Sequence, residues 1–200
     1  MKLYTNPASP FCRKVEVLLH EIGQTEAAQP TVVAGHPTDP GTMPTQQNPI
    51  GKIPTLEDKG RALYDSRVIT RYLDTKFGAG LYPEATLFDI LTLEATADGI
   101  AEAAVLMVYE GRSRPEDKYD EITVEAQWTR VARALDHLEA TAMSLLDTPL
   151  HMGQIAVASA LGYLDFRHRA RDWRATRPNL AQWYAEFAKR PSMQATEPPA

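Results

Sequence analysis

Three places in the chain carry side chains whose type and neighbours could do chemistry. The first is Ser9-Pro10-Phe11-Cys12. Serine is a favoured N-cap and proline is pre-set for the first helical position, so the pair marks a helix start. Free backbone N–H groups and the positive end of a helix dipole favour an anion there, and a thiol held at that point has its pKa lowered. The Ser9 hydroxyl could donate a hydrogen bond to such a thiolate, in competition with its role as a cap. The second place is Asn48-Pro49-Ile50-Gly51-Lys52-Ile53-Pro54-Thr55-Leu56. Pro54 interrupts the start of a strand there, which puts it at a sheet edge or in a cis turn. An edge strand at that point could hydrogen-bond a peptide backbone. The third is Asp65-Ser66, opening another helix with backbone N–H groups, a hydroxyl and a carboxylate together. A plain N-cap accounts for either residue as well.

These places need elements to hold them. A short strand over residues 2–4 and a turn at Asn6-Pro7-Ala8 lead into a helix with Phe11, Val15, Leu18, Leu19 and Ile22 on one face and Gly23 at its end. A second strand is expected over 31–34. Pro37, Pro40, Gly41, Pro44 and Pro49 then argue for loop. Strands over 53–56 and 61–63 flank Asp58-Lys59-Gly60 as a hairpin, and a helix over 65–77 carries the stripe Val68, Ile69, Tyr72, Leu73 and Phe77. The order βαβ, then ββα, is a small α/β domain. Beyond Pro83 the pattern turns helical, with helices near 85–111, 120–147, 153–170 and 178–189. Their stripes, Ile90, Ala97, Ile100 and Ala104, then Trp128, Val131, Leu135 and Leu138, indicate a bundle. The expected fold class is therefore α/β plus all-α, in domains 1–80 and 86–200.

Composition narrows the functions. A net charge of −5 argues against broad nucleic-acid binding, and the basic run Arg167, His168, Arg169, Arg171, Arg174 and Arg177 reads as a solvated face. The five histidines lie far apart and never take metal-ligand spacing with Cys12, so no metal is implied. A single cysteine excludes an intrachain disulfide or a CxxC pair and fits a reducing, cytoplasmic setting. No segment has the roughly 18 uninterrupted apolar residues of a membrane span.

Taken together, Ser9-Pro10-Phe11-Cys12-Arg13-Lys14-Val15, the Asn48-Pro49-x-Gly51-Lys52-Ile53-Pro54 run and Asp65-Ser66 resemble the soluble glutathione transferase family. The resemblance extends through Gly162-Tyr163-Leu164-Asp165-Phe166-Arg167 and Arg190-Pro191-Ser192, and it is greatest toward bacterial serine-type members. It implies a thioredoxin-like N-terminal domain with an all-helical C-terminal domain, glutathione lying between them on the first, and a homodimer. By the same resemblance Ser9 would stabilise the glutathione thiolate. The backbone of Ile53, ahead of a cis Pro54, would pair with the cysteinyl part, and Asp65 and Ser66 would hold the γ-glutamyl end. Lys52 would meet the glycyl carboxylate, a solvent-exposed lysine being the alternative. Two departures stand out. The family's second helix has little support over 35–49. At the helix-capping position of the second domain stands His151, followed by Gly153 and by Gln154 where an acidic residue is common, which implies a weaker capping box.

The expected activity is conjugation of the glutathione thiolate, as co-substrate, to a small hydrophobic electrophile, with Met107 and Tyr109 offered as apolar support. A thiol of pKa about 8.5 is roughly 3% ionised at pH 7, and a two-unit depression makes it about three-quarters ionised. That shift corresponds to about 2.7 kcal/mol of preferential thiolate binding. Nucleophilicity falls with pKa along a Brønsted slope of about 0.4 to 0.5, so the net gain in rate is only a few-fold. Positioning of the electrophile must supply the rest. One alternative is a non-catalytic glutathione-binding or protein-interaction module of the same fold. Another is a glutathione-dependent thiol oxidoreductase using Cys12. Tyr4, on the first strand, is a rival to Ser9, because some transferases use a strand-borne tyrosine.

Overall fold

The computed structural model describes residues 1–199. The chain forms two compact units, Met1–Glu84 together with the residues from Arg190 onward, and Ala85–Lys189. The segment 86–200 expected as one domain thus gives up its last residues to the first unit.

In the first unit, β1 (Lys2–Thr5) leads to α1 (Pro10–Glu21) and β2 (Gln29–Val32), and β3 (Thr55–Asp58) and β4 (Arg61–Leu63) lead to α2 (Ser66–Phe77). The sheet order is β2-β1-β3-β4. β1 runs parallel to β2 and antiparallel to β3, which is antiparallel to β4. This is the thioredoxin-like arrangement, with α1 as the crossover and α2 packed against it. β2 lies two residues ahead of its expected position because it is an edge strand, and an edge tolerates Pro30 within the pairing. β3 starts two residues late, behind the cis Ile53–Pro54 bond. Lys59 and Gly60 both have positive φ, 50° and 77°, as the two-residue turn between Asp58 and Arg61 requires. Between β2 and β3 the chain is hydrogen-bonded turns and one isolated bridge, His36 to Asp39, with no helix among the described residues.

α1 is buried on more than the face its apolar stripe marks out. Val15, Val17, Leu18 and Leu19 are inaccessible or nearly so, and so are Arg13 and Lys14. The residues beyond Arg190 explain part of this, for a short helix α8 (Pro191–Ala195) packs on α1. Arg13 Nη2 donates to the Met193 carbonyl at 2.9 Å. Glu21 takes the Arg190 guanidinium in a two-armed pair at 2.7 and 2.6 Å and also accepts from the Ser192 hydroxyl.

The second unit is all helical: α3 (Leu87–Ser113), α4 (Glu121–Thr141), α5 (Met143–Leu146), α6 (Met152–Arg167) and α7 (Pro178–Phe187). α6 is its centre, buried from Met152 through Leu164 and packed along α3. At Gly153 an added Cβ would come within 2.9 Å of Leu93 Cδ2, so the close approach of these two helices needs glycine there. The N-terminus of α6 has a complete capping box, stronger than the sequence implies. His151 Nδ1 accepts from the Gln154 N–H at 3.4 Å and the His151 N–H donates to Gln154 Oε1 at 2.8 Å. The Gln154 amide adds bonds to the Leu146 and Thr148 carbonyls at 2.8 and 3.0 Å. A neutral imidazole offers an sp² nitrogen acceptor where serine or threonine would offer a hydroxyl. Glutamine also has a donor end that a carboxylate lacks. No described helix is long and apolar enough to cross a membrane.

Candidate functional site

The topology gathers the motifs of the first unit at one end of its sheet. β1 pairs antiparallel with β3, Tyr4 opposite Thr55, so the residues after β1 and those before β3 share an end. β3 and β4 pair Leu56 with Leu63, which brings the residues after β4 to that same end. Ser9 at the start of α1, Ile53-Pro54 ahead of β3 and Asp65-Ser66 at the start of α2 are therefore neighbours by strand register. Lys14, buried in α1, makes the proximity electrostatic, because its charge acts on Asp65.

Ser9 is set by Asn6, a residue without an assigned role in the sequence reading. Asn6 Oδ1 accepts from the Ala8 N–H at 3.0 Å, its Nδ2 donates to the Val33 carbonyl at 2.9 Å, and its own carbonyl accepts from the Ser9 N–H at 2.9 Å. An Asx turn of this kind is a local signal that the Asn6-Pro7 pair carries in sequence. Ser9 is the N-cap of α1, with φ −92° and ψ 124°, and its Oγ accepts from the Cys12 N–H at 3.3 Å. Capping occupies a lone pair of the hydroxyl and leaves its proton available. The two roles that compete in the sequence reading are thus compatible.

The loop before β3 is clamped by Asn48, only 1% exposed. Its Nδ2 donates to the Lys52 carbonyl at 2.9 Å and to Thr55 Oγ1 at 3.3 Å, and its Oδ1 accepts from the Ile50 N–H at 3.0 Å. Gly51, at φ 64°, closes the turn. Ile53 lies beyond the end of the ladder, and its N–H and C=O take no hydrogen bond among the described residues. The Lys52 side chain is exposed and is brought to none of the other site residues by any contact among the described residues.

Asp65 caps α2 through Oδ1, which accepts from the Arg67 N–H at 3.0 Å, while Oδ2 takes the Arg67 guanidinium at 2.9 Å. Burial opposes ionisation of this carboxyl, but Arg67, with help from Lys14, holds it below the usual aspartate range. Ser66 is 3% exposed and its hydroxyl has no partner among the described residues.

The rival groups are otherwise engaged. Tyr4 donates its hydroxyl to Glu57 Oε2 at 2.6 Å. Cys12 is fully buried, and burial pushes its thiol up to about 11 against the pull of Ser9 and Thr5. At pH 7 that leaves about one thiol in ten thousand ionised. Of the residues named for an electrophile, Met107 is core, 6% exposed, and Tyr109 is partly exposed.

A thioredoxin-like unit with helix starts gathered at one sheet end, and an all-helical unit beside it in sequence, define the class of fold. Comparison with known proteins gives the family. Residues 3–80 match the family model described as glutathione S-transferase, N-terminal domain, and residues 121–186 match glutathione S-transferase, C-terminal domain. The Escherichia coli GST-like protein YibF, itself uncharacterised, is 33% identical over 205 residues, covering 100% of this chain and 99% of that protein. A glutathione transferase family member from Pseudomonas fluorescens Pf-5, solved with bound glutathione, is 46% identical with a TM-score of 0.96 over 100% of this chain and 99% of that one. A second structure from the same organism, with bound S-(propanoic acid)-glutathione, is 45% identical with a TM-score of 0.92 over all of both chains. The chain belongs to the glutathione S-transferase family.

Proposed function

We propose that the protein is a serine-type glutathione transferase that joins the glutathione thiolate to small hydrophobic electrophiles. The observation that carries this reading is the place of Ser9: its oxygen caps α1 by accepting from the Cys12 N–H, a role that a hydroxyl can combine with donating, and the alternatives, Tyr4 and Cys12, are committed or un-ionised. In this reading the thiolate rests at the N-terminus of α1, the uncommitted Ile53 backbone ahead of cis Pro54 pairs with the cysteinyl part, and Asp65 with Ser66 holds the γ-glutamyl end. The low pKa of Asp65 suits a cationic amine partner. Lys52, unpaired and exposed, takes the glycyl carboxylate. Glutathione in the structure of the Pseudomonas relative, and S-(propanoic acid)-glutathione in the second, support the ligand and the thioether product class.

With an aryl halide the thiolate's electron pair forms one carbon–sulfur bond, the carbon–halogen bond breaks and halide leaves with its electron pair. The Ser9 hydroxyl donates a hydrogen bond to the sulfur beforehand and keeps its proton. As the resemblance implies, we assign the enzyme to a cytoplasmic homodimer with a detoxifying role; a solution mass of twice 22.2 kDa is expected. The decisive experiment is retention on immobilised glutathione together with conjugation of an uncharged aryl halide, in the wild type and in Ser9→Ala. Conjugation lost in Ser9→Ala with retention kept supports the enzyme. Retention with no activity toward any electrophile returns the protein to the non-catalytic module.

A further inference from the structure

The junction of β1 and α1 holds a polar cluster behind the helix start. Thr5, the last residue of β1, is 2% exposed, and its Oγ1 donates to Glu16 Oε1 on α1 at 2.5 Å. The Thr5 carbonyl accepts from the Val33 N–H at 2.9 Å, and Asn6 Nδ2 donates to the Val33 carbonyl at 2.9 Å, so the residue after β2 holds the strand end from its other side. Glu16 is half-buried and takes no other hydrogen bond or ion pair among the described residues. Three residues back on the helix, Arg13 donates to the Met193 carbonyl. The carboxylate is thus turned onto a neutral hydroxyl. Thr5 and Glu16 are eleven residues apart, and their bond bridges strand and helix across the segment that contains Ser9.

Ser9, Cys12 and Glu16 fall at i, i+3 and i+7, on one stripe of α1. Cys12 lies between the other two, fully buried, and its thiol meets the hydroxyls of Ser9 and Thr5 and the Asn6 backbone. Thr5 has one hydroxyl proton and Glu16 takes it, so toward Cys12 the Thr5 oxygen can only accept. The Cys12 thiol proton therefore has an acceptor in Thr5. That leaves the Ser9 oxygen to the Cys12 N–H, which it caps at 3.3 Å. A serine side chain has three staggered positions, and the groups packed around it select among them. Here those groups are Thr5 and Cys12, and a carboxylate bond, stronger than a neutral one, fixes Thr5.

We propose that Thr5 and Glu16 are positioning residues for Ser9: their hydrogen bond ties α1 to the end of β1 and holds the serine oxygen at its cap. That a serine so held serves a bound thiolate rests on the transferase reading; the hold itself stands on the first unit alone. Both residues act through Ser9, and neither is assigned a contact with glutathione.

The test is amide hydrogen exchange read by NMR on the whole protein, with the pH titration of bound glutathione followed by thiolate absorbance, in Thr5→Val, Thr5→Ser, Glu16→Ala and Glu16→Gln. The Cys12 amide, bonded to Ser9 Oγ, reports the cap, and the Leu18 amide further along α1 reports opening of the helix. Exchange at Cys12 relative to Leu18 is expected to quicken about tenfold in Thr5→Val and Glu16→Ala, the scale of one hydrogen bond. It should stay within about twofold in Thr5→Ser and Glu16→Gln, which keep the donor and the acceptor. The bound thiol should titrate at least about half a unit higher in the first two variants and be restored in the second two. Glu16 is half-buried on α1, so its two variants carry the test should Thr5→Val not fold. A general loss of stability would move both amides together and leave the titration in place. That result overturns the proposal, as does an unchanged exchange ratio in Glu16→Ala. A quickened Cys12 amide with an unmoved titration, where Ser9→Ala does move it, overturns the part of the pair in the chemistry. Absence of glutathione binding, or a titration unmoved by Ser9→Ala, would sink the transferase reading and leave the hold on Ser9 to be decided by the exchange ratio.

Discussion

Tyr4 and Glu57 stand opposite each other's strands in the sheet of the first unit, and the phenol donates to the carboxylate at 2.6 Å. The bond withdraws the one strand-borne hydroxyl that rivals Ser9. Tyr4→Phe should leave conjugation of an uncharged aryl halide within about twofold of wild type. Ser9→Ala should raise the pKa of bound glutathione by about one to two units, read from thiolate absorbance against pH. An unshifted titration in Ser9→Ala would remove the serine from the mechanism.

Cys12 is expected to behave as packing. The native protein should resist thiol alkylation at pH 7, and Cys12→Ala should retain activity. Loss of a small buried side chain should cost about 1 to 2 kcal/mol in denaturant unfolding. Rapid alkylation of the folded protein would reopen the oxidoreductase alternative.

Acid should loosen the return of the chain onto α1. The Arg190 guanidinium holds the Glu21 carboxyl low despite partial burial, with Ser192 assisting. A depressed carboxyl contributes stability that is complete above its unfolded value of about 4.5 and is lost as pH falls through the lower folded value. Arg190 is 39% exposed at its side chain, so the contribution should be only about 1 kcal/mol. Glu21→Gln should flatten that part of the stability profile, measured by urea unfolding between pH 6 and pH 3.

His151 should give a second and separate acid response. Burial lowers its pKa, outweighing the bond to the Leu145 carbonyl, and Nδ1 must stay unprotonated to accept from Gln154. The unfolded chain takes up this proton first, so stability is full above about pH 6.5 and declines below it until the folded-state value is passed. His151→Ser keeps an acceptor at the cap and should abolish this decline at a cost of about 1 kcal/mol or less. A profile unchanged by the substitution would place the proton elsewhere.

What was legible in the sequence follows the range of the interactions. Ser9 and Asp65 announce their helices because a cap is a contact between residues two or three apart. The α/β order and the long helices are likewise periodic and local. The Lys59-Gly60 turn fell where the Asp58-Lys59-Gly60 signal marks it. The edges of β2 and β3 were displaced because Pro30 and Pro54 carry opposite meanings, one tolerated in an edge strand and one halting a strand, and only pairing tells them apart. The ties of Arg13 to Met193 and of Glu21 to Arg190 span most of the chain and leave no local trace. Nor do the pairings of Arg171 with Glu125 and of Arg177 with Asp136, whose carboxylates both lie on α4.

The path of the chain beyond Arg190 has a consequence for synthesis. α1 precedes the helices of the second unit in sequence, yet the partners of its buried Arg13 and of Glu21 are made only after those helices. The first unit cannot close fully while the ribosome is still translating the helices between, so a nascent α/β unit carries an exposed flank through most of elongation. A fragment ending at residue 84 would keep that flank permanently, and chimeras joined there should be built with the distal segment restored.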